Sequence, residues 1–363
     1  MQIPLSQPDI TNLERQVVLG VMKTPRLSLG PKLEEFENLI ADYIGVKYAI
    51  AVNSGTSALH LIIRALDIGE GDEVITTPFS FIASANCILF ERAKPVFVDI
   101  NKNTFNIDID KIENKITKKT KAILAVDVFG QPADWNALQK IAKNHNLFLI
   151  EDSAEALGSE YKNKKCGGFG NAGAFAFYPN KQITTGEGGM VVTNDKKIVE
   201  LCCSMRNQGR DKNNKWLQHI RLGYNYRLSE INCALGIVQL KRIKQILKKR
   251  EQVALAYNEL LQDCQKIKLP YLTDNIKISW FVYVVRIKNR DEVMQKLQKK
   301  GIGCNNYFPP IHLMPFYQKL FNYKKGDFPI CEKISQETLA LPFFNNLKKS
   351  EIKYVVQEIK KLI

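Results

Sequence analysis

Between Tyr48 and about Asn194, short apolar runs alternate with segments whose apolar residues recur at helical spacing. Runs 48–52, 73–77, 96–100, 122–126, 147–150, 174–177 and 190–193 have the length and side-chain types of strands. Segments 57–66 and 135–144 place apolar residues three and four apart, the stripe of an amphipathic helix. Alternating strands and helices predict an α/β fold whose mainly parallel sheet carries helices on both faces. Ligands of such sheets bind beyond the carboxyl ends of the strands, so the chemistry is expected there.

A polar stretch at 209–222 precedes a long helical pattern that opens near Ser229 with Ser-x-x-Asn, part of a capping signal. A second unit starts near Leu269-Pro270, with a strand at 280–287, a helix at 291–300 and two helices after Cys331. These patterns divide the chain into a large domain, 1–250, and a smaller α+β domain, 251–363.

Composition narrows the function classes. The 363 residues are 45% hydrophobic and 25% charged, as in ordinary globular proteins. No apolar stretch reaches the roughly 18 residues of a membrane span, and Met1-Gln2-Ile3-Pro4-Leu5 has no signal-peptide character. A cytoplasmic protein without membrane association is expected. The eight cysteines show no CxxC pair and the four histidines no HExxH spacing, so no metal site is expected.

The net charge of +15 raises the question of nucleic acid. The densest basic run, 241–250, interleaves its charges with apolar residues at helical spacing, as the wet face of an amphipathic helix does. No aromatic-rich basic stripe or zinc-finger spacing accompanies it, so no nucleic-acid partner is expected. The positive field suits an anionic small molecule.

Three segments carry candidate chemistry. In Asn53-Ser54-Gly55-Thr56-Ser57-Ala58-Leu59 a strand ends in small residues and a helix begins. The free N–H groups of that helix start, with the Thr56 and Ser57 hydroxyls, form either a phosphate cradle or a plain cap. At Leu149-Ile150-Glu151-Asp152-Ser153-Ala154-Glu155 an apolar strand ends in acids on the ligand-binding edge. Asp152 there is either a helix cap or the partner of a protonated ring nitrogen.

The third segment, Phe175-Ala176-Phe177-Tyr178-Pro179-Asn180-Lys181, places one lysine after an aromatic strand and before the Gly-rich turn Gly186-Glu187-Gly188-Gly189. Desolvated at such an edge, a lysine becomes a nucleophile toward an aldehyde; the ordinary reading is a solvated surface residue. A rival GxGxxG at 168–173 lacks the strand before it and the helix after it that a dinucleotide site needs.

Together these segments resemble the DegT/DnrJ/EryC1/StrS group of sugar aminotransferases, which have the fold-type-I aspartate-aminotransferase architecture. The likeness runs from Ile3-Pro4-Leu5-Ser6 and Ser28-Leu29-Gly30-Pro31 through Gly223-Tyr224-Asn225-Tyr226-Arg227 to Tyr307-Phe308-Pro309-Pro310-Ile311-His312. It implies pyridoxal 5'-phosphate held on Lys181, which also shuttles the proton. Gly55, Thr56 and Ser57 would hold the phosphate and Asp152 the ring nitrogen. Phe81 would stack on the ring, with Glu155 beside the ring hydroxyl and the sugar. Asn225 would reach the phosphate of the neighbouring subunit, giving a homodimer with shared sites. Arg227 and His312 are the expected substrate contacts.

Glutamate is the implied amino donor and a nucleotide-linked keto sugar the acceptor. The likeness is nearest to perosamine-synthase-like members, which points to a 4-keto-6-deoxy hexose for polysaccharide or glycoconjugate synthesis. The alternatives are a 3-keto sugar, a dehydratase using the pyridoxamine form of the cofactor, in which histidine replaces the lysine, and a noncatalytic regulator. One departure stands out: Ala176 occupies the place where the family has a serine that contacts the phosphate.

Overall fold

A computed structural model describes residues 2–211 and 218–363. The polar stretch at 209–222 thus falls partly outside the described residues. Helices α1 (Asn12–Met22) and α2 (Pro31–Ile44) lead into strand β1 (Tyr48–Val52) and helix α3 (Gly55–Ala65). Strand β2 (Glu73–Thr76), α4 (Ala83–Phe90), β3 (Lys94–Phe97), β4 (Thr120–Val126), α5 (Trp135–Asn144) and β5 (Phe148–Asp152) follow. A small hairpin, β6 (Glu160–Tyr161) and β7 (Lys164–Lys165), precedes β8 (Ala172–Ala176), β9 (Gly189–Thr193) and α6 (Lys196–Arg206).

Seven of these strands form one sheet in the order β1-β9-β8-β5-β4-β2-β3. All run parallel except β9, which is antiparallel to both β1 and β8. Helices cover both faces, so β2 and β9 are buried along their whole length and need no polar alternation. Strand β3 lies earlier than the sequence suggested because its pairing with β2 ends at Thr76–Phe97, where β2 turns into Thr77-Pro78.

Beyond the sheet, Ser229 caps α7 (Glu230–Lys241) by accepting from Asn232 N, and α8 (Ile243–Leu261) follows directly. The C-terminal unit comprises β10 (Ile267–Lys268), β11 (Ile276–Lys277), β12 (Tyr283–Ile287), α9 (Arg290–Lys299), α10 (Pro315–Phe321), α11 (Pro329–Glu337), β13 (Thr338–Leu341) and α12 (Lys349–Leu362). Its sheet runs β10-β12-β13, while β11 joins the β6–β7 hairpin. Its core gathers Tyr257, Leu261, Tyr283, Leu297, Leu339 and Val355, together with Ile3 from the other end of the chain.

No linker separates the two units at residue 250. Helix α8 passes through both cores, with Ile243 and Ile246 in the first and Val253, Ala254, Tyr257 and Leu261 in the second. This corrects the reading of the basic run 241–250. Lys241, Lys244 and Lys248 are exposed, but Arg250 is 3% exposed, and Arg242 is paired with Glu14 and Asp9. Among the described residues, no helix is long and apolar enough to cross a membrane.

Candidate active site

A cavity of about 800 Å³ opens at the carboxyl ends of the parallel strands. Five of the parallel strands deliver part of its wall, β4 through its last residue, Val126. Ser54, Gly55 and Thr56 follow β1; Phe81 and Ser84 follow β2; Asp152 ends β5 and Glu155 follows it; Ala176 ends β8 and Lys181 follows it. The C-terminal unit closes the far side with Phe281, Asn305, Tyr307 and Phe308.

At one end of the cavity lies the N-terminus of α3. Ser54 caps the helix by accepting from Ser57 N at 3.0 Å. The N–H groups of Gly55 and Thr56, at the first two helical positions, have no carbonyl four residues back within the helix. They border the cavity with the positive end of the helix dipole behind them. Glycine at 55 is required by packing, since a Cβ there would stand 2.7 Å from the Cβ of Ala176. Gly189 is equally constrained: its Cβ would meet Ser54 O at 2.3 Å and Gly55 N at 2.7 Å. The close approach of β8 and β9 to the helix start therefore shapes this end of the pocket. Ser57, expected at the same pole, is instead buried, and its Oγ donates to Asn53 Oδ1 at 2.7 Å.

Toward the middle of the cavity, Lys181 stands with its side chain only 13% exposed. Its Nζ lies 3.7 Å from Glu155 Oε1 and 4.1 Å from the centroid of the Phe281 ring. Gln182 anchors the segment by donating from Nε2 to Ser279 Oγ at 2.8 Å and to Glu155 O. Burial holds the Lys181 amine below the ordinary lysine value, against the pull of Glu155 and Asp152.

Both carboxyls are shifted the other way. Burial pushes Glu155 up to about 6, although Lys181 and the Phe129 N–H, 2.9 Å from Oε2, favour its charged form. Asp152 is likewise raised by burial, against the Ser84 hydroxyl, which donates to Oδ2 at 2.6 Å, and Ala154 N, 3.2 Å from Oδ1. A buried carboxylate with room beside it in the cavity favours a cationic N–H partner. Phe81, 61% exposed, offers its ring at the wall. The arrangement presents a helix N-terminus for an anion, a buried carboxylate for a ring N–H, an aromatic face and a desolvated amine.

Asn225, Arg227 and His312 do not line this cavity. Asn225 is exposed, on a segment docked to the end of β1 through Asn53 N and Tyr226 O at 3.0 Å. Arg227 donates to Asn207 Oδ1 at 2.9 Å and to Gln208 Oε1 at 2.8 Å. His312 is 0% exposed, with Nε2 3.0 Å from Glu332 Oε1 and its ring edge-on to Phe328. That burial replaces the expected substrate contact with a packing role. Sequence reading missed Ser84 and Phe281, which have no motif of their own and meet the site only through the fold, and it quoted Tyr307 in a motif without giving it a place in the site.

Residues 168–171 form a loop, 172 and 173 begin β8 and no helix follows, and Phe169 N donates to Glu151 Oε2 at 2.8 Å. The dinucleotide pattern is therefore a loop seated on a buried carboxylate. Asp127, Glu151 and Cys166 bring potential metal ligands together, but the carboxylate oxygens already accept from Ala133, Trp135, Ser153, Gly167 and Phe169.

The profile of the DegT/DnrJ/EryC1/StrS aminotransferase family matches residues 8–360. GDP-perosamine synthase of Caulobacter vibrioides is 38% identical over 100% of this chain and 98% of its own. UDP-4-amino-4,6-dideoxy-N-acetyl-beta-L-altrosamine transaminase of Helicobacter pylori is 35% identical over 98% of this chain and 96% of its own. The solved structure of Helicobacter pylori PseC, an aminotransferase involved in the biosynthesis of pseudoaminic acid, superimposes with a TM-score of 0.94 at 34% identity, covering 99% of both chains.

Proposed function

Because the chain belongs to the DegT/DnrJ/EryC1/StrS aminotransferase family, we propose that it aminates a nucleotide-linked keto sugar with pyridoxal 5'-phosphate on Lys181 and glutamate as donor. The observation that carries this reading is the desolvated Lys181 amine beside Glu155, in a cavity that also holds a helix N-terminus and the buried Asp152.

The residues fit the cofactor. Gly55 and Thr56, which line the cavity at the start of α3, would bind its phosphate through their backbone N–H groups, with the end of β8 packed against Gly55. Asp152, held by Ser84, would keep a proton on the ring nitrogen, and Phe81 would cover the ring. Bound there, the cofactor supplies an electron sink for the carbon that loses or gains a proton.

Lys181 does the proton work. Burial lowers the value of the Lys181 amine, which makes its neutral form easier to reach than in a solvated lysine and suits Nζ to accept a proton and then return it. Glu155, raised by burial, sits at hand to exchange a proton with the cofactor's hydroxyl or the sugar. Phe281, Tyr307 and Phe308 form an apolar wall that keeps water from these groups. Asn225, exposed and outside its own cavity, would serve the second subunit of a homodimer, and Arg227 beside it would meet substrate.

The names of the two curated relatives support a 4-keto-6-deoxy hexose as acceptor, in the synthesis of a polysaccharide or glycoconjugate. The test is a panel of nucleotide-linked 3-keto and 4-keto sugars offered with glutamate, with products read by mass spectrometry. Amination of a 4-keto sugar is expected. Amination of 3-keto sugars alone would overturn the ring position, and amination of neither would overturn the reaction class.

A further inference from the structure

Arg250 is a buried cation whose hydrogen bonds, among the described residues, go to no carboxylate. Its Nε donates to Trp280 O at 2.7 Å, and Nη2 donates to Phe281 O at 2.8 Å and to Asn180 O at 3.4 Å. Nη1 donates to Asn345 Oδ1 at 3.1 Å, and the guanidinium carbon lies 5.1 Å from the centroid of the Phe343 ring. Burial lowers its pKa to about 10, which leaves it charged at neutral pH. Asp9 attracts this cation without bonding it directly, through Asn345, whose Nδ2 donates to Asp9 Oδ2 at 3.0 Å, and a cation bonded in the interior by carbonyl oxygens is costly, since each acceptor must be well placed to replace water.

The identity of those acceptors gives the cation a role. Asn180 immediately precedes Lys181, and Phe281 carries the ring that lies 4.1 Å from the Lys181 amine. Asn345 belongs to the C-terminal unit, and Arg250 sits on α8 where that helix passes from one core to the other. One side chain thus joins the backbone before the reacting lysine, the backbone of its aromatic cover, and the domain that closes the cavity.

We infer that Arg250 is a positioning residue for Lys181: by fixing Asn180 and Phe281 together, it keeps the Phe281 ring over the amine and keeps water away from it. This inference rests on the reading of Lys181 as the reacting amine. The planar five-donor guanidinium suits the task, because it can address several carbonyls at fixed angles. Lysine in its place would keep the charge but lose the spread of donors. The Phe281 ring would then drift and water would reach Nζ. Hydration favours the charged amine more than the ring does, so the Lys181 pKa would rise. The other ionisable groups around Lys181, namely Asp152, Glu155, Glu187, Tyr178 and Tyr307, stay the same in the comparison.

The experiment uses cofactor-free full-length protein and an amine-reactive reagent, with the Lys181 peptide quantified by mass spectrometry across pH. In Arg250→Lys the labelling midpoint is expected to move up by about one pH unit, and Phe281→Leu should move it the same way. In the double variant the two shifts should not add, because both act through one ring. An Arg250→Lys midpoint equal to the parent's, with only the melting temperature lowered, would overturn the inference. So would fully additive shifts. If Arg250→Lys does not fold, Asn345→Ala replaces it, with a smaller shift of the same sign expected and an unchanged midpoint contradicting the inference. Borohydride reduction of the cofactor-loaded parent separately tests Lys181 as the cofactor-bearing residue. Label on another peptide would sink that reading without altering the labelling comparison.

Discussion

Restoring a serine at Ala176 should tighten cofactor binding by an amount that the geometry bounds. Ala176 ends β8 at the cavity wall, facing the helix start so closely that glycine is required at 55. The hydroxyls nearest this pole are already committed: Ser57 Oγ donates to Asn53, and the Ser54 and Ser57 oxygens lie 2.8 Å apart. Thr56 lines the cavity beside Ser54, with its hydroxyl outside that pair. A new serine hydroxyl contributes one hydrogen bond to the phosphate, about 1 kcal/mol net and at most about 3 kcal/mol for a charged acceptor. The lower figure corresponds to roughly fivefold tighter binding. Equilibrium dialysis with pyridoxamine phosphate reads this term alone, since that form makes no covalent bond to Lys181. An Ala176→Ser variant that melts like the parent but binds no more tightly would refute the placement of the phosphate beside residue 176.

Three further outcomes follow from the same geometry. Glu155 is raised by burial from its ordinary 4.5 to about 6, so the folded state holds its proton more tightly; the stability this gives is present below pH 4.5 and lost as pH rises through about 6. In denaturant titrations of cofactor-free protein, Glu155→Gln should therefore gain up to about 2 kcal/mol on the parent between pH 4 and 7, less any proton that Lys181 releases once its partner is neutral; a constant difference would contradict the buried-carboxyl reading. If Asn225 serves the partner subunit, mixing inactive Lys181→Ala and Asn225→Ala chains should rebuild one whole site per mixed dimer, about a quarter of all sites after random exchange. No recovery after exchange verified by mass would place Asn225 in its own subunit's site or outside the chemistry. Gly189→Ala should displace the start of α3, because its Cβ would meet Ser54 O at 2.3 Å, and should weaken cofactor binding at least tenfold; unchanged binding would show that the helix start does not hold the phosphate.

Much of the sheet was legible because buried parallel strands read as continuous apolar runs. The expected strand at 48–52 and helix at 135–144 match β1 and α5 residue for residue. The glycines near 55 and 186–189 and the acids ending β5 were legible as motifs because close approach and strand-end placement leave local marks. Three features escaped for different reasons. Arg250 looked like one more basic residue on a wet helix face, since its carbonyl partners lie 30 and 31 residues later and 70 earlier in the chain. His312 looked available because nothing local announces its partner Glu332 or the Phe328 ring. Ser57 carried a hydroxyl at the right place, but whether it faces the cavity or caps the helix depends on Asn53 and Ser54.

The central claim is that the Lys181 amine carries the cofactor and moves the proton. The most direct measurement is the absorption spectrum of the protein with pyridoxal phosphate, before and after glutamate, alongside Lys181→Ala. The parent should show a band near roughly 410–430 nm that gives way to one near roughly 330 nm when glutamate is added. The variant should show neither the protein-bound band nor turnover. A parent without that band, or a variant that responds to glutamate as the parent does, would contradict the account.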